Sequence, residues 1–231
     1  MVRVCNSILT DSLPTEGYGR AQGTLLYRGF SHYFLGNLFA NVPTRTPWIG
    51  AYGGCDAVVV NTLCHHVSRD IQQGIEANGA MRVALIGNTY SDQRRGFTLH
   101  ITRRDRHKPK ELYLHDNDYT STPGKEHWTL VDEPPVPLHD VKPLPQTDVV
   151  AHHLQTVGAR PAERTPLDER VIRQVREGKG QYIHSQEDVG GYPDLERTYR
   201  RLEVPTDPAA LGRWLYRHTK AVEVPGAEPP R

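Results

Sequence analysis

The chain of 231 residues has little of several features that would narrow its class. It holds three cysteines, Cys5, Cys55 and Cys64, and an odd number without metal-type spacing argues against a disulfide framework, while one bridge stays open. Its 28 basic and 27 acidic residues nearly cancel, so binding of nucleic acid through bulk charge is not expected. No apolar run reaches the roughly 18 residues that a membrane span needs. We therefore expect neither nucleic acid nor a membrane as a partner.

What the chain does contain is one short pattern repeated around five asparagines. These are Asn6, Asn37, Asn61, Asn88 and Asn117, which lie 31, 24, 27 and 29 residues apart. An apolar or aromatic residue follows each asparagine by two places, and in four of the five an apolar residue precedes it by two, which predicts one face of a strand. The spacing is typical of stacked coils rather than hairpins.

The repeat predicts an all-β fold, a right-handed parallel β-helix (a solenoid) in which the five asparagines form one column. A buried amide has two donors and one acceptor to satisfy, and a stacked column lets each asparagine bond to the next or cap a backbone turn. The alternative is a set of five short strands with unrelated polar positions. The predicted strands cover residues 1–10, 24–27, 31–40, 57–64, 80–90, 96–101 and 110–119.

The character of the chain changes after residue 119. Five prolines fall between residues 133 and 145, which predicts an extended surface connector. Helical periodicity follows over 148–157, from Thr165 to Gly178, and over 207–218, with Leu211, Trp214 and Leu215 facing inward. We therefore divide the chain into β-helix coils at 1–132 and a connector with a helical tail at 133–231, which packs on the coils because its helices are too short to stand alone.

Arg45 is the first candidate for chemistry. Prolines at positions 43 and 47 brace it, so its side chain can be held at a fixed place on the surface. A guanidinium matches a carboxylate in a bidentate way, which suits an acidic polysaccharide. An ordinary solvated loop arginine is the competing interpretation.

Several runs of the chain together resemble one family. They are Asn37-Leu38-Phe39-Ala40 leading into Arg45-Thr46-Pro47, Ala57-Val58-Val59-Val60-Asn61, Gly158-Ala159-Arg160-Pro161, Asp168-Glu169-Arg170-Val171, and Ser185-Gln186-Glu187-Asp188-Val189-Gly190-Gly191-Tyr192-Pro193. In order, they resemble the pectate lyases among the bacterial β-helix polysaccharide lyases. The resemblance covers most of residues 2–200.

The resemblance implies β-elimination on a uronate polymer such as polygalacturonate by a secreted enzyme, with Arg45 removing the C5 proton. It also implies Ca²⁺ and basic residues that neutralise the substrate carboxylate. A guanidinium normally keeps its proton, so an arginine base needs local positive potential and substrate contacts.

The chain departs from the family at the substrate. The basic residue of the preceding coil falls at Gln22, for which Arg20 could compensate, and a second arginine is replaced by Trp48 or Gly50. Trp48 could stack on a sugar ring. The family's calcium carboxylates lie upstream of its counterpart of residues 2–8, so this chain offers no counterpart for them.

These departures support an alternative function, a non-catalytic β-helix that binds carbohydrate or serves as structure. No secretory signal can be read at the N-terminus, where Met1-Val2-Arg3-Val4 runs straight into a strand. We expect either a missing N-terminal segment or a partner chain to cap the first coil. The adjacent histidine pairs, His65-His66 and His152-His153, lack zinc-site spacing, so no metal ligands are predicted from them.

Overall fold

A computed structural model describes residues 1–14, 21–27, 31–52, 54–67, 73–91, 97–101, 109–118, 124–192 and 203–224. Within these ranges the strands are β1 (Val2–Cys5), β2 (Ile8–Thr10), β3 (Leu25–Tyr27), β4 (Ser31–Leu35), β5 (Leu38–Ala40), β6 (Trp48–Tyr52), β7 (Cys55–Val60), β8 (Leu63–His65), β9 (Gln73–Asn78), β10 (Met81–Ile86), β11 (Thr89–Tyr90), β12 (Phe97–Ile101), β13 (Lys110–His115) and β14 (Thr129–Leu130). The α-helices are α1 (Gln146–Thr156), α2 (Pro166–Glu177), α3 (Pro208–His218) and α4 (Lys220–Glu223).

The strands form three parallel sheets, and consecutive strands of the first twelve belong to different sheets. Sheet 1 has the order β1-β4-β7-β10-β13-β14, sheet 2 the order β11-β8-β5-β2, and sheet 3 the order β12-β9-β6-β3. Every pairing between these strands is parallel. Residues about 25 to 30 apart in sequence therefore become neighbours, such as Val59 beside Leu85.

The main core is built from the inward faces of all three sheets. Phe34, Val59 and Leu85 of sheet 1 share one buried cluster with Phe39 of sheet 2 and Ile49 of sheet 3. Alternation along the strands sends the intervening residues outward, as expected for strands with an apolar inner face. The repeated apolar pattern in the sequence therefore corresponds to positions whose side chains face the main core.

The asparagines lie in turns between strands, not within them. Four of the five predicted strands that cross such a turn are divided in two in the described residues, as where 57–64 becomes β7 and β8, separated by Asn61 and Thr62. Asn61 has a left-handed φ of 48°, a conformation that asparagine tolerates better than most residues. Because apolar residues flank the two-residue turn on both sides, the pattern predicted one continuous strand.

The five asparagines occupy two neighbouring columns rather than the single predicted column. The register aligns the first turn position as Asn6, Gly36, Asn61, Gly87 and Asp116, and the second as Ser7, Asn37, Thr62, Asn88 and Asn117. The prediction of one column is wrong because asparagine suits both positions, one through its left-handed backbone and the other through its amide.

In the second column each asparagine caps the turn that comes before it in the column. Asn88 Oδ1 accepts from the Thr62 N–H at 3.0 Å, and its Nδ2 donates to the Val59 carbonyl at 2.9 Å. The same amide donates to Asn117 Oδ1 at 2.9 Å. Asn37 bonds Ser7 N–H and the Val4 carbonyl in the same manner. Buried amides are thus satisfied by one another and by the backbone.

The segment after β14 covers the outer faces of two sheets. Val136, Leu138 and Val141 pack on the outward residues of sheet 1, among them Tyr33 and Val58. The connector and helices also return to the first strands: Arg3 pairs with Asp140 at 3.1 Å, the Gly158 N–H donates to the Asn6 carbonyl at 2.8 Å, and Arg170 pairs with Asp11.

Helices α1 and α2 form a second core with sheet 2. Val149 of α1 and Val171, Ile172 and Val175 of α2 are buried against Leu38, Ala40 and Leu63. Helix α2 begins with a capping box between Thr165 and Asp168 and ends at Gly178, which has φ 64°. The predicted bounds of these two helices are confirmed to within two residues.

The predicted fold class, an all-β right-handed parallel β-helix, is wrong. The structure is mixed α/β, with three separate parallel sheets that stay open and are not closed into a solenoid, and with helices that share a core with sheet 2. The prediction treated these helices as an appendage, whereas they supply buried side chains. The division at residue 132 stays a prediction.

Helix α3 differs from its prediction in burial. Leu211, Trp214 and Leu215 were expected inward, but α3 contains no buried residue, and Leu215 is 48% exposed. Apolar periodicity marks one face of a helix without showing that another surface covers it.

Candidate functional site

Arg45 has a left-handed backbone that the repeating turns do not explain. Among the described residues, eight other than glycine have positive φ. Six of them lie in two turn columns: Asn6, Asn61 and Asp116 at the ends of sheet 1 strands, and Asp11, Asn41 and His66 at the ends of sheet 2 strands. The other two, Arg45 with φ 62° and His139 with φ 55°, belong to neither column. A strained residue outside the repeat is a candidate for function.

The segment 41–47 that carries Arg45 links β5 of sheet 2 to β6 of sheet 3. Arg45 is half-buried between Thr44 and Thr46, which are both buried. The Thr44 hydroxyl donates to the Ala21 carbonyl at 3.1 Å. Burial of both neighbours fixes the backbone from which the guanidinium projects.

Gly23 and Thr24, which lie just before β3, hold the same segment through backbone hydrogen bonds. The Gly23 N–H donates to the Thr44 carbonyl at 2.8 Å, and the Thr24 N–H donates to the Arg45 carbonyl at 2.8 Å. The Trp48 N–H returns a bond to the Thr24 carbonyl at 3.0 Å. A Cβ at position 23 would lie 2.5 Å from the Arg45 carbonyl oxygen, so glycine is required for this close approach.

Two of the three predicted substrate-binding residues lie beside Arg45 along the backbone. Gln22 forms a parallel bridge with Thr44, so it lies about one strand spacing of 4.8 Å from the arginine segment. Trp48 begins β6, pairs in register with Leu25, and is half-buried. Arg20 lies outside the described residues. The structure thus brings Gln22, Arg45 and Trp48 to one corner of sheet 3.

The side chains that the structure describes in sheet 3 are those of 25–26 and 48–50. None of them belongs to the apolar clusters on the outer faces of sheets 1 and 2. Ile49 faces the main core, so its neighbour Trp48 faces outward, beside Leu25, which is 40% exposed. An aromatic ring next to a guanidinium can stack on a sugar while the cation meets its carboxylate.

No cluster of acidic side chains of the kind that binds calcium is found among the described residues. Ca²⁺ takes six to eight oxygen ligands, several of them carboxylates, and no three histidine, cysteine, aspartate or glutamate side chains gather in the described part of the chain. The Ca²⁺ that the resemblance implies therefore has no identified ligands here, and no step of the chemistry is routed through it.

The sequence argument missed Asn41, which anchors the start of the Arg45 segment. Its amide reaches Gln174 of α2 at 2.9 Å and Asp11 at 3.1 Å. One signal in the sequence could have found it: Asp11, Asn41 and His66 follow Asn6, Gly36 and Asn61 by five residues each. Its partner Gln174, 133 residues away, has no comparable signal.

Among the described residues, no helix combines the length and the apolar character that crossing a membrane requires.

Comparison with known proteins leaves the family undecided. Searches of protein-family models, of curated proteins and of solved structures found no match to this chain.

Proposed function

We propose that this chain cleaves a uronate polymer such as polygalacturonate by β-elimination, with Arg45 as the base that removes the C5 proton. The observation that carries the proposal is the backbone of Arg45, held in the left-handed region outside both turn columns and bonded to Thr24, the residue before β3. A strained, fixed backbone aims a side chain at a set position, which is what a base requires.

The reaction balances without a further reactant. The neutral guanidine, after giving its own proton to solvent, takes the proton from C5, and the C5 electron pair forms the C4=C5 double bond. The C4–O4 bond breaks, and the leaving oxygen takes a proton from water. The uronate carboxylate at C5 acidifies the proton that leaves. This is why the proposed substrate is an acidic polymer.

Neighbouring residues would orient the polymer. Trp48 offers an aromatic face on the outer side of sheet 3, and Gln22 offers amide hydrogen bonds one strand away from Thr44. Arg20 stays a predicted contact to the substrate carboxylate. A secreted location agrees with a polymeric substrate and stays part of the proposal.

The test is the release of unsaturated product from polygalacturonate, followed by ultraviolet absorbance with and without added Ca²⁺. Arg45→Gln keeps a polar side chain of similar length but cannot take the proton, so turnover should fall by about 1,000-fold. Arg173→Lys, an exposed position on α2, is the matched control and should retain full turnover. Absence of product from the wild-type chain under both conditions would overturn the proposal.

A second candidate function is carbohydrate binding without cleavage. It is favoured by the partly exposed Trp48 and by the lack of a carboxylate cluster among the described residues. In that case polygalacturonate should bind with no product formed, and Trp48→Ala should weaken binding by about 10-fold, in line with the loss of a ring stacked on a sugar. Unchanged binding by Trp48→Ala would count against this candidate.

A further inference from the structure

Asn41 is buried at the start of the segment that carries Arg45, and every polar atom of its amide is bonded. Nδ2 donates to Asp11 Oδ1 at 3.1 Å and to Gln174 Oε1 at 2.9 Å. Oδ1 accepts from the Gln181 N–H at 3.1 Å, and the Asn41 N–H donates to the His65 carbonyl at 3.1 Å. The residue is 0% exposed. Its position is therefore set by partners on three separate parts of the chain.

The partners of Asn41 are themselves connected through α2. Arg170 lies one helical turn before Gln174 and donates to Gln174 Oε1 at 3.2 Å. Its other nitrogen donates to Asp11 Oδ2, and the two side chains of this ion pair are 19% and 10% exposed. One face of α2 thus presents a cation and an amide oxygen to the turn at Asn41.

These polar contacts are not required to hold α2 on the protein. Val171, Ile172 and Val175 already bury the apolar stripe of the helix against sheet 2. A largely buried ion pair and amide network loses hydration, so its contribution lies more in fixing one arrangement than in adding stability. The arrangement that it fixes is the left-handed turn at Asn41, with φ 55°.

The segment 41–47 is consequently clamped at both ends by different parts of the chain. Its end at Arg45 bonds to Gly23 and Thr24, just before β3, whereas its start at Asn41 bonds to α2 and to the loop after it. That loop packs closely, since a Cβ on Gly180 would lie 2.5 Å from Asn41 Oδ1. A shift at Asn41 would move the arginine four residues later.

We infer that Gln174 and Arg170 are positioning residues for Arg45, acting through Asn41. The helical tail would then be part of the site, although it touches no substrate. The effect on turnover rests on the proposed function; the effect on the segment itself does not.

The first experiment uses three variants of α2. Gln174→Met keeps the volume and the helix propensity but removes the acceptor, so kcat should fall on the order of 100-fold with KM nearly unchanged. Gln174→Glu keeps acceptor oxygens for Asn41 and Arg170 and should restore most of that loss. Arg173→Met, which is exposed one residue earlier, is the matched control and should leave both constants unchanged.

The second measurement is amide hydrogen exchange in the same variants, which needs no turnover. Amide exchange over residues 41–49 should rise about 10-fold in Gln174→Met, relative to the exchange in β3, β9 and β12. It should stay near the wild type in Gln174→Glu and Arg173→Met. If exchange rises in this way while the wild type shows no product, the positioning role stands and the proposed function fails.

Three results would overturn the inference. The first is unchanged exchange over residues 41–49 in Gln174→Met, and the second is a rise spread evenly over the protein, which shows loss of stability alone. A variant Gln174→Glu that behaves like Gln174→Met would also overturn it, because the acceptor would then be irrelevant.

Discussion

The junction between sheets 1 and 2 and the junction between sheets 2 and 3 are built on different principles. The first uses a two-residue turn after each of β1, β4, β7 and β10, with the same backbone and stacked amides. The second uses connections of different lengths, from the 14 residues 11–24 to the six residues 91–96. One junction repeats, and the other varies.

Because the same close contacts repeat along the first junction, the side chains at its positions cannot vary independently. Asparagine and glycine alternate over the first four positions of its first column because each asparagine lies over the next glycine in the column; a Cβ on Gly36 would come within 2.5 Å of Asn6 Oδ1. The varying junction has no such requirement, and it is there that Arg45 is found. A repeated turn specifies the stack, and a varied one can carry function.

Breaking the repeated junction should have the largest effect. Asn88→Ala removes the partners of the Thr62 N–H, the Val59 carbonyl and Asn117 Oδ1, and should lower the free energy of unfolding by about 4 kcal/mol. Denaturant unfolding measures it. Asn117→Ala, in the same column but less buried, should cost about half as much, and an equal cost would contradict the role of burial.

A pH titration should sharpen the same junction. Burial, above all, lowers the pKa of His153 from 6.5 to about 4, and this ring packs by the Gly36-Asn37 turn. Because the folded value lies below the unfolded one, the neutral ring stabilises the fold above pH 6.5, and up to about 3 kcal/mol is lost as pH falls towards 4.

Unfolding of His153→Met at pH 7 and at pH 4.5 tests this expectation. The variant should lose less stability than the wild type on acidification, since it has no ring to protonate. His152→Met, an exposed neighbour, should keep the wild-type dependence. Identical pH dependence in all three proteins would show that His153 is not the group responsible.

The smallest expected effect lies at the varying junction. Gly23→Ala places a Cβ against the Arg45 carbonyl and should cost about 2 kcal/mol, because the backbone of one segment must shift. Turnover should fall as well if Arg45 is the base. Gly212→Ala in α3, where a Cβ meets nothing within 4 Å, should be neutral or slightly stabilising, as measured by thermal unfolding.

Local signals predicted the helices well. Thr165-Pro166 and Gly178 mark the limits of α2, because capping chemistry depends on adjacent residues. The strands near Asn37 and Asn61 were found but fused, since a two-residue turn leaves the apolar alternation unbroken. The fold class was wrong because burial of α1 and α2 is a tertiary property.

The candidate site was only half visible in the sequence. Pro43 and Pro47 indicated that Arg45 is held at a fixed place, and the backbone bonds from Gly23 and Thr24 agree with that expectation. The bond between Asn41 and Gln174 joins residues 133 apart, and nothing in one sequence pairs them. Contacts of that separation depend on the packing of α2, so they follow from the fold rather than from any motif.

The return of the tail to residues 3, 6 and 11 has a consequence for how the molecule comes apart. An outermost strand has a neighbour on one side alone, so it would ordinarily be the first to detach. Here β1 is fastened by Asp140 and Gly158, from the far side of the sequence. Loss of that strand therefore requires the connector to lift as well, so early opening should involve both regions together instead of fraying at one edge.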